Sequence, residues 1–198
     1  MSSVIEFSIV QGDISLFEAD VVAFKYAGNF YGVEKIIADR FREKFIPTER
    51  LIPTGREYSF EDTHGCITAP RALIVKAREL SEFDYDDIKK FSMDVLRILD
   101  PLAPNIKHLA MTIHGRHLFP DEIRLVRSQL DGIREALSKG EVPLFLNKIT
   151  IVEADPECVQ RLQIGLEPYL KLFGKMLPER WGFRLSFEDS RVSDHGET

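Results

Sequence analysis

Ile9-Val10-Gln11-Gly12-Asp13-Ile14-Ser15, followed after Leu16-Phe17-Glu18 by Ala19-Asp20-Val21-Val22-Ala23, is the stretch on which the fold turns. Just upstream, Ile5, Phe7 and Ile9 recur at period two with Glu6 and Ser8 between them. That alternation predicts a strand with one buried face. Gln11-Gly12-Asp13 interrupts it as a turn. Ala19 to Phe24 predicts a second strand, and its continuous apolar run Val21-Val22-Ala23-Phe24 reads as buried.

Outward from this pair the chain alternates helix-like and strand-like segments. A loop with Gly28, Asn29 and Gly32 leads to Val33, Ile36, Ile37, Phe41 and Phe45 at helical spacing. Between Ile46 and Pro70 the pattern dissolves around Pro47, Pro53, Gly55 and Gly65, leaving room for short strands but not for a long helix. Ala72 to Ala77 predicts a strand. Asp84 and Asp87 frame a capping-box start for a helix with Ile88, Phe91, Val95, Ile98 and Leu102 on one face, ended by Asp100-Pro101. Lys107 to Ile113 predicts a strand, and the loop His114 to Pro120 follows it directly. Asp121 and Glu122 then place negative charge at the start of a helix whose buried stripe is Ile123, Val126, Leu130, Ile133 and Leu137, stopped by Gly140. Gly132 sits mid-helix, at a cost of up to about 1 kcal/mol unless close packing needs it. Asn147 to Val152 predicts a strand, and Asp155-Pro156-Glu157 starts a last helix that runs to Gly174. Phe183, Leu185 and Phe187 alternate as a final strand. The pattern predicts an α/β fold of three layers, α/β/α, around a mixed, largely parallel central sheet. It gives one domain over 1–189 and a polar tail over 190–198.

The composition agrees. A chain of 198 residues with 44% hydrophobic and 29% charged side chains suits one ordinary core. The 32 acidic against 26 basic residues give a net charge of −6, which disfavours a general nucleic-acid binder. The N-terminus has no signal-peptide pattern and no stretch is long enough to span a membrane, so a soluble, cytoplasmic protein is expected. Cys66 and Cys158 lie in no metal-spaced cluster, and reduced thiols are expected rather than one disulfide.

In a largely parallel sheet, ligands bind beyond the carboxyl ends of the strands. The loops to weigh are therefore Gly12 to Ser15, Tyr26 to Gly32 and Ile113 to Pro120. His114, Arg116 and His117, next to a helix start, suit an anion, with Arg116 forking two hydrogen bonds to it beside the Gly115 backbone. A solvated loop is the plainer reading. Asp13 serves equally as a turn residue. Lys25 and Tyr26 can line the same place, with Tyr26 stacking on a base or simply packing. His114-x-x-His117 lacks a third ligand nearby, so no metal is expected. Nothing around Cys66 marks a nucleophile. Trp181 and its neighbouring phenylalanines read as an edge strand closing the core.

The first stretch resembles the opening of a macro domain, which has a strand, a Gly-Asp-Ile-Thr turn and a Val-Asp-Ala-Ile-Val strand. Ile113-His114-Gly115-Arg116-His117-Leu118-Phe119-Pro120 resembles that family's second phosphate loop, and the element order fits from about Val4 to Phe173. The resemblance implies that Asp13 accepts the adenine amine and that Ile14 lines the adenine pocket. It puts Gly32 and Val33 at the end of the first phosphate loop, and Gly115, Arg116 and His117 in the second, near Phe119. The chain also departs from the family. The Asn-Ala-Ala-Asn segment falls on Phe24-Lys25-Tyr26-Ala27, so Asn29 could serve only in a slipped register. One glycine, Gly32, replaces a run of them, and Leu118 stands where a glycine is usual. The resemblance thus implies a divergent member that binds ADP-ribose or another nucleotide-derived anion, a signalling nucleotide among them, without catalysis and without a cofactor. A hydrolase using His114 or His117, or a module that lost its pocket and binds proteins, are the alternatives.

Overall fold

In a computed structural model the described residues are 3–116 and 118–186. Seven strands form one sheet in the order β3-β4-β2-β5-β6-β1-β7. The strands are β1 (Ser3–Gln11), β2 (Val21–Tyr26), β3 (Tyr58–Asp62), β4 (Arg71–Lys76), β5 (His108–Met111), β6 (Lys148–Glu153) and β7 (Trp181–Ser186). Only β3 runs antiparallel, against β4; every other pairing is parallel. Among the described residues four α-helices complete the layers: α1 (Gly32–Glu43), α2 (Tyr85–Leu102), α3 (Glu122–Lys139) and α4 (Pro156–Met176).

The period-two pattern divides the core between the two faces of the sheet. Ile5, Phe7, Ile9, Val21 and Ala23 face a cluster shared with α2, α3 and α4. Val10, Val22, Phe24 and Ala110 face a second cluster with Ile37, Ala38 and Phe41 of α1. Each fully buried Phe or Ile contributes roughly 1.5–3 kcal/mol. Cys66 and Cys158 belong to opposite clusters, so the sheet separates the two free thiols. No helix of the described residues is long and apolar enough to cross a membrane.

Local signals place the helix starts. Asp84 accepts the Asp86 and Asp87 amides while the Asp87 side chain accepts the Asp84 amide, a complete capping box on α2. Asp155 caps α4 with Pro156 at its first position. The helix ends differ from expectation. Pro101 lies inside the last turn of α2, because a proline that near the C-terminus forfeits a single hydrogen bond. Helix α4 passes Gly174 to reach Met176 and carries Pro168 within it. Between Ile46 and Pro70 the chain forms a 3-10 turn, Thr48–Leu51, and then β3. Trp181 begins edge strand β7, parallel to β1; Phe187 and the rest of the tail lie outside the described residues.

Candidate functional site

Three loops meet beyond the carboxyl ends of the strands, around a cavity of about 410 Å³. The turn after β1 supplies Gly12, Asp13 and Ile14, and the start of α1 supplies Gly32 and Val33. The loop after β5 supplies Ile113, Gly115 and Arg116. Two backbone positions here require glycine: Gly32 at φ +51° and Gly115 at φ +86°. At Gly115 a Cβ would also press on Ile88 and Phe119, each at 3.2 Å.

Asp13 is exposed at the cavity, and one of its oxygens accepts the Ser15 amide at 2.8 Å. The turn role and a place in the cavity therefore coexist. Ile14 is buried and Val33 half-buried in the wall. Tyr31 and Ile36, both about half exposed, add apolar surface at the mouth.

Other expected residues fall elsewhere. Tyr26 turns away from the cavity: its hydroxyl donates to the Gly28 carbonyl at 3.0 Å and its ring meets Phe30 edge-on. Successive strand residues point to opposite faces, so Lys25 lines the cavity and Tyr26 does not. The Asn29 side-chain Oδ1 accepts the Phe30 amide at 2.8 Å, a local turn bond. Phe119 packs on the Tyr85 ring at 4.7 Å. His114 lies behind the wall rather than in it, 1% exposed and 4.0 Å from the Phe91 ring. His117 lies outside the described residues.

Both nitrogens of His114 lack a hydrogen-bond partner. Burial, and then the charge of Lys25, push its pKa well below the ordinary 6.5, so the ring is neutral. The unfolded chain binds a proton near pH 6.5 that the folded chain refuses. Stability from this group is thus full above 6.5 and is lost as pH falls below it, by up to about 1.4 kcal/mol per pH unit. Urea unfolding at pH 7.0, 6.0 and 5.0 should show this extra slope in wild type and not in His114→Leu. Equal slopes in the two proteins would remove the assignment.

The cations at the cavity are already paired. Lys25 Nζ donates to Glu34 Oε1 at 2.8 Å, and both side chains are nearly buried, at 12% and 8% exposure. The Arg116 guanidinium bridges Glu153 and Asp155. The hydrogen bond from Arg116 holds the Asp155 carboxyl below its usual range, helped by the first amides of α4. Cys158 donates to Glu122 at 3.2 Å, and burial pushes its thiol up to about 12, leaving it inert.

Glu34, Glu153 and Tyr31 are lining residues that sequence reasoning missed. Glu153 was findable, because it ends a strand at the same edge as the other loops. Glu34 carried a weaker signal, an acidic residue in the first turn of a helix that opens on a glycine.

No protein-family model and no curated protein matches the chain. Solved structures do. A macrodomain of Oceanobacillus iheyensis with MES bound superposes with a TM-score of 0.58 at 13% identity, over 83% of this chain and 92% of that one. A Trypanosoma brucei macrodomain in complex with ADP-ribose gives 0.56 at 13%, over 81% and 68%. An alphavirus P23pro-zbd structure gives 0.57 at 16%; the match covers 83% of this chain but spans only 24% of that chain. With its seven-stranded mixed sheet between helical layers, this chain has the macrodomain fold.

Proposed function

We propose that the cavity binds a nucleotide-derived small molecule, ADP-ribose or a relative, and that it does so without catalysis. The observation that carries this reading is the convergence of Asp13 and Ile14 with Gly32 and Gly115 around one cavity. Its volume lies within the roughly 300–1,000 Å³ of small-molecule sites. A carboxylate beside apolar walls suits an adenine, whose amine donates and whose faces are apolar. Structures of the same fold from Trypanosoma brucei and Oceanobacillus iheyensis hold ADP-ribose and ADP respectively. A cavity of this size also speaks against the reading of a module that has lost its pocket.

The non-catalytic half rests on what faces the cavity. No histidine among the described residues lines it, and of the carboxylates there Glu34 is paired with Lys25, Glu153 with Arg116, and Asp13 accepts the Ser15 amide. A general acid or base must reach the proton it moves, and His114 does not.

Calorimetry with adenosine, AMP, ADP and ADP-ribose tests the binding. Incubation with ADP-ribosylated protein tests for release. Binding that Asp13→Ala weakens about tenfold, a loss of roughly 1.4 kcal/mol, with no release of ADP-ribose, is the expected result. No binding by any of the four ligands would defeat the proposal. Release by wild type would replace it with the hydrolase reading.

A further inference from the structure

The two features of this cavity that would attract a phosphate each stand against the chain's own carboxylates. The first is the start of α1. Its N-cap residue, Tyr31, gives no side-chain cap, so the helix's positive end is open to an anion. Glu34 puts a carboxylate beside that end. It lies in the first turn, 7% exposed, and its Oε2 sits 3.9 Å from where a Cβ on Gly32 would be. Its other oxygen accepts Lys25 Nζ, the nearby cation. The second feature is Arg116, whose two terminal nitrogens go to Glu153 and Asp155. Glu153 is itself fixed, since it also accepts the Asp155 amide at 2.9 Å.

Among the described residues the charges lining the cavity are Lys25 and Arg116 against Asp13, Glu34 and Glu153, with Asp155 paired to Arg116. A diphosphate brought here meets more negative charge than positive. To gain Arg116 it must displace two carboxylates. At the helix end it meets a third, held nearly buried by Lys25, and a carboxylate moved aside there would lose that partner. The remaining wall, with Ile14, Val33, Ile36, Leu80 and Leu118, is apolar and indifferent to charge.

We infer that this cavity is charge-satisfied from within and selects a low-charge ligand, a nucleoside or a similar heteroaromatic glycoside without free phosphate, over a nucleoside diphosphate. This rests on the proposed function above and narrows it, placing ADP-ribose itself among the weaker ligands. Glu34 and Glu153 are the specificity-determining residues, holding the cavity's two cations, Lys25 and Arg116.

The test is a calorimetric series on wild type with adenosine, AMP, ADP and ADP-ribose at one ionic strength, repeated on the double variant Glu153→Gln, Asp155→Asn. Asparagine still caps a helix, so α4 keeps its start. Expected in wild type is an affinity for ADP no greater than that for adenosine. In the double variant, with Arg116 freed of both carboxylate charges, the ratio of ADP to adenosine affinity should rise at least tenfold, and adding Arg116→Ala should abolish the gain. Wild type binding ADP or ADP-ribose more tightly than adenosine would overturn the inference while leaving the proposed function standing. Absence of binding by all four ligands would instead overturn the proposed function, and this inference with it. The wild-type series decides even if the variant fails to fold.

Discussion

Gly132→Ala is expected to destabilise the protein by about 3 kcal/mol, at the upper end of what overpacking usually costs. A Cβ on this residue of α3 would stand 2.0 Å from the Lys89 carbonyl oxygen and 3.1 Å from the Met93 amide nitrogen, both backbone atoms of α2. No rotamer change relieves a contact with backbone, so the two helices must move apart. Alanine's better helix propensity returns at most about 1 kcal/mol. For a chain of this length the net loss should lower the melting temperature by roughly 6–12 °C. Gly165→Ala in α4 is the control. Its Cβ would meet Ile123 Cδ1 at 2.3 Å, but that is the far end of a flexible side chain that can swing aside. Calorimetric melting of both variants decides. A Gly132 variant melting within about 2 °C of wild type, or no lower than the Gly165 variant, would show that the α2–α3 contact is not as tight as it looks.

The same glycine shows why the fold was legible. Gly132 in a good helical stripe is a local conflict, and such conflicts persist where packing needs them. Most other signals agreed with one another. Alternation in β1 put Ile5, Phe7 and Ile9 on one face, and the capping box at Asp84 and the Asp155-Pro156 start fixed two helix beginnings. Ends were less legible. Pro101 and Pro168 both sit inside helices, where tertiary packing of the apolar stripe outweighs one missing amide. Strand β3 was hidden because its pairing with β4 is antiparallel at an edge, with every residue only partly buried or exposed, so it carries no strong apolar pattern.

The site was legible to the extent that it is built from backbone. Glycines at positive φ and a turn carboxylate announce themselves locally, and Gly32, Gly115 and Asp13 all line the cavity. Side-chain direction was not legible. Tyr26 and Lys25 are neighbours, yet one turns back to Gly28 and the other enters the cavity. Arg116 reads as a free cation because its partners, Glu153 and Asp155, lie far along the chain and reach it only through the β5–β6 pairing. A local reading counts the charges in one loop. The potential in a cavity depends on charges brought from several.

Lys25→Met should cost about 3–5 kcal/mol, the usual penalty for removing one partner of a buried ion pair. The ammonium and the Glu34 carboxylate are 2.8 Å apart with 12% and 8% of their side chains exposed, so little water is at hand to replace either partner. Methionine keeps the length and apolar stem of lysine, which limits the loss to the charge and its hydrogen bond. What remains is a nearly buried carboxylate that has lost its recorded partner. The double variant Lys25→Met, Glu34→Leu removes both charges and should recover most of the stability, because a hydrophobic pair of similar volume often equals or betters a buried ion pair. Urea unfolding of wild type, Lys25→Met and the double variant measures this directly. If Lys25→Met lies within about 1 kcal/mol of wild type, the pair is solvated and weak. If the double variant is no more stable than the single one, the loss at Lys25 is a packing defect rather than a stranded charge.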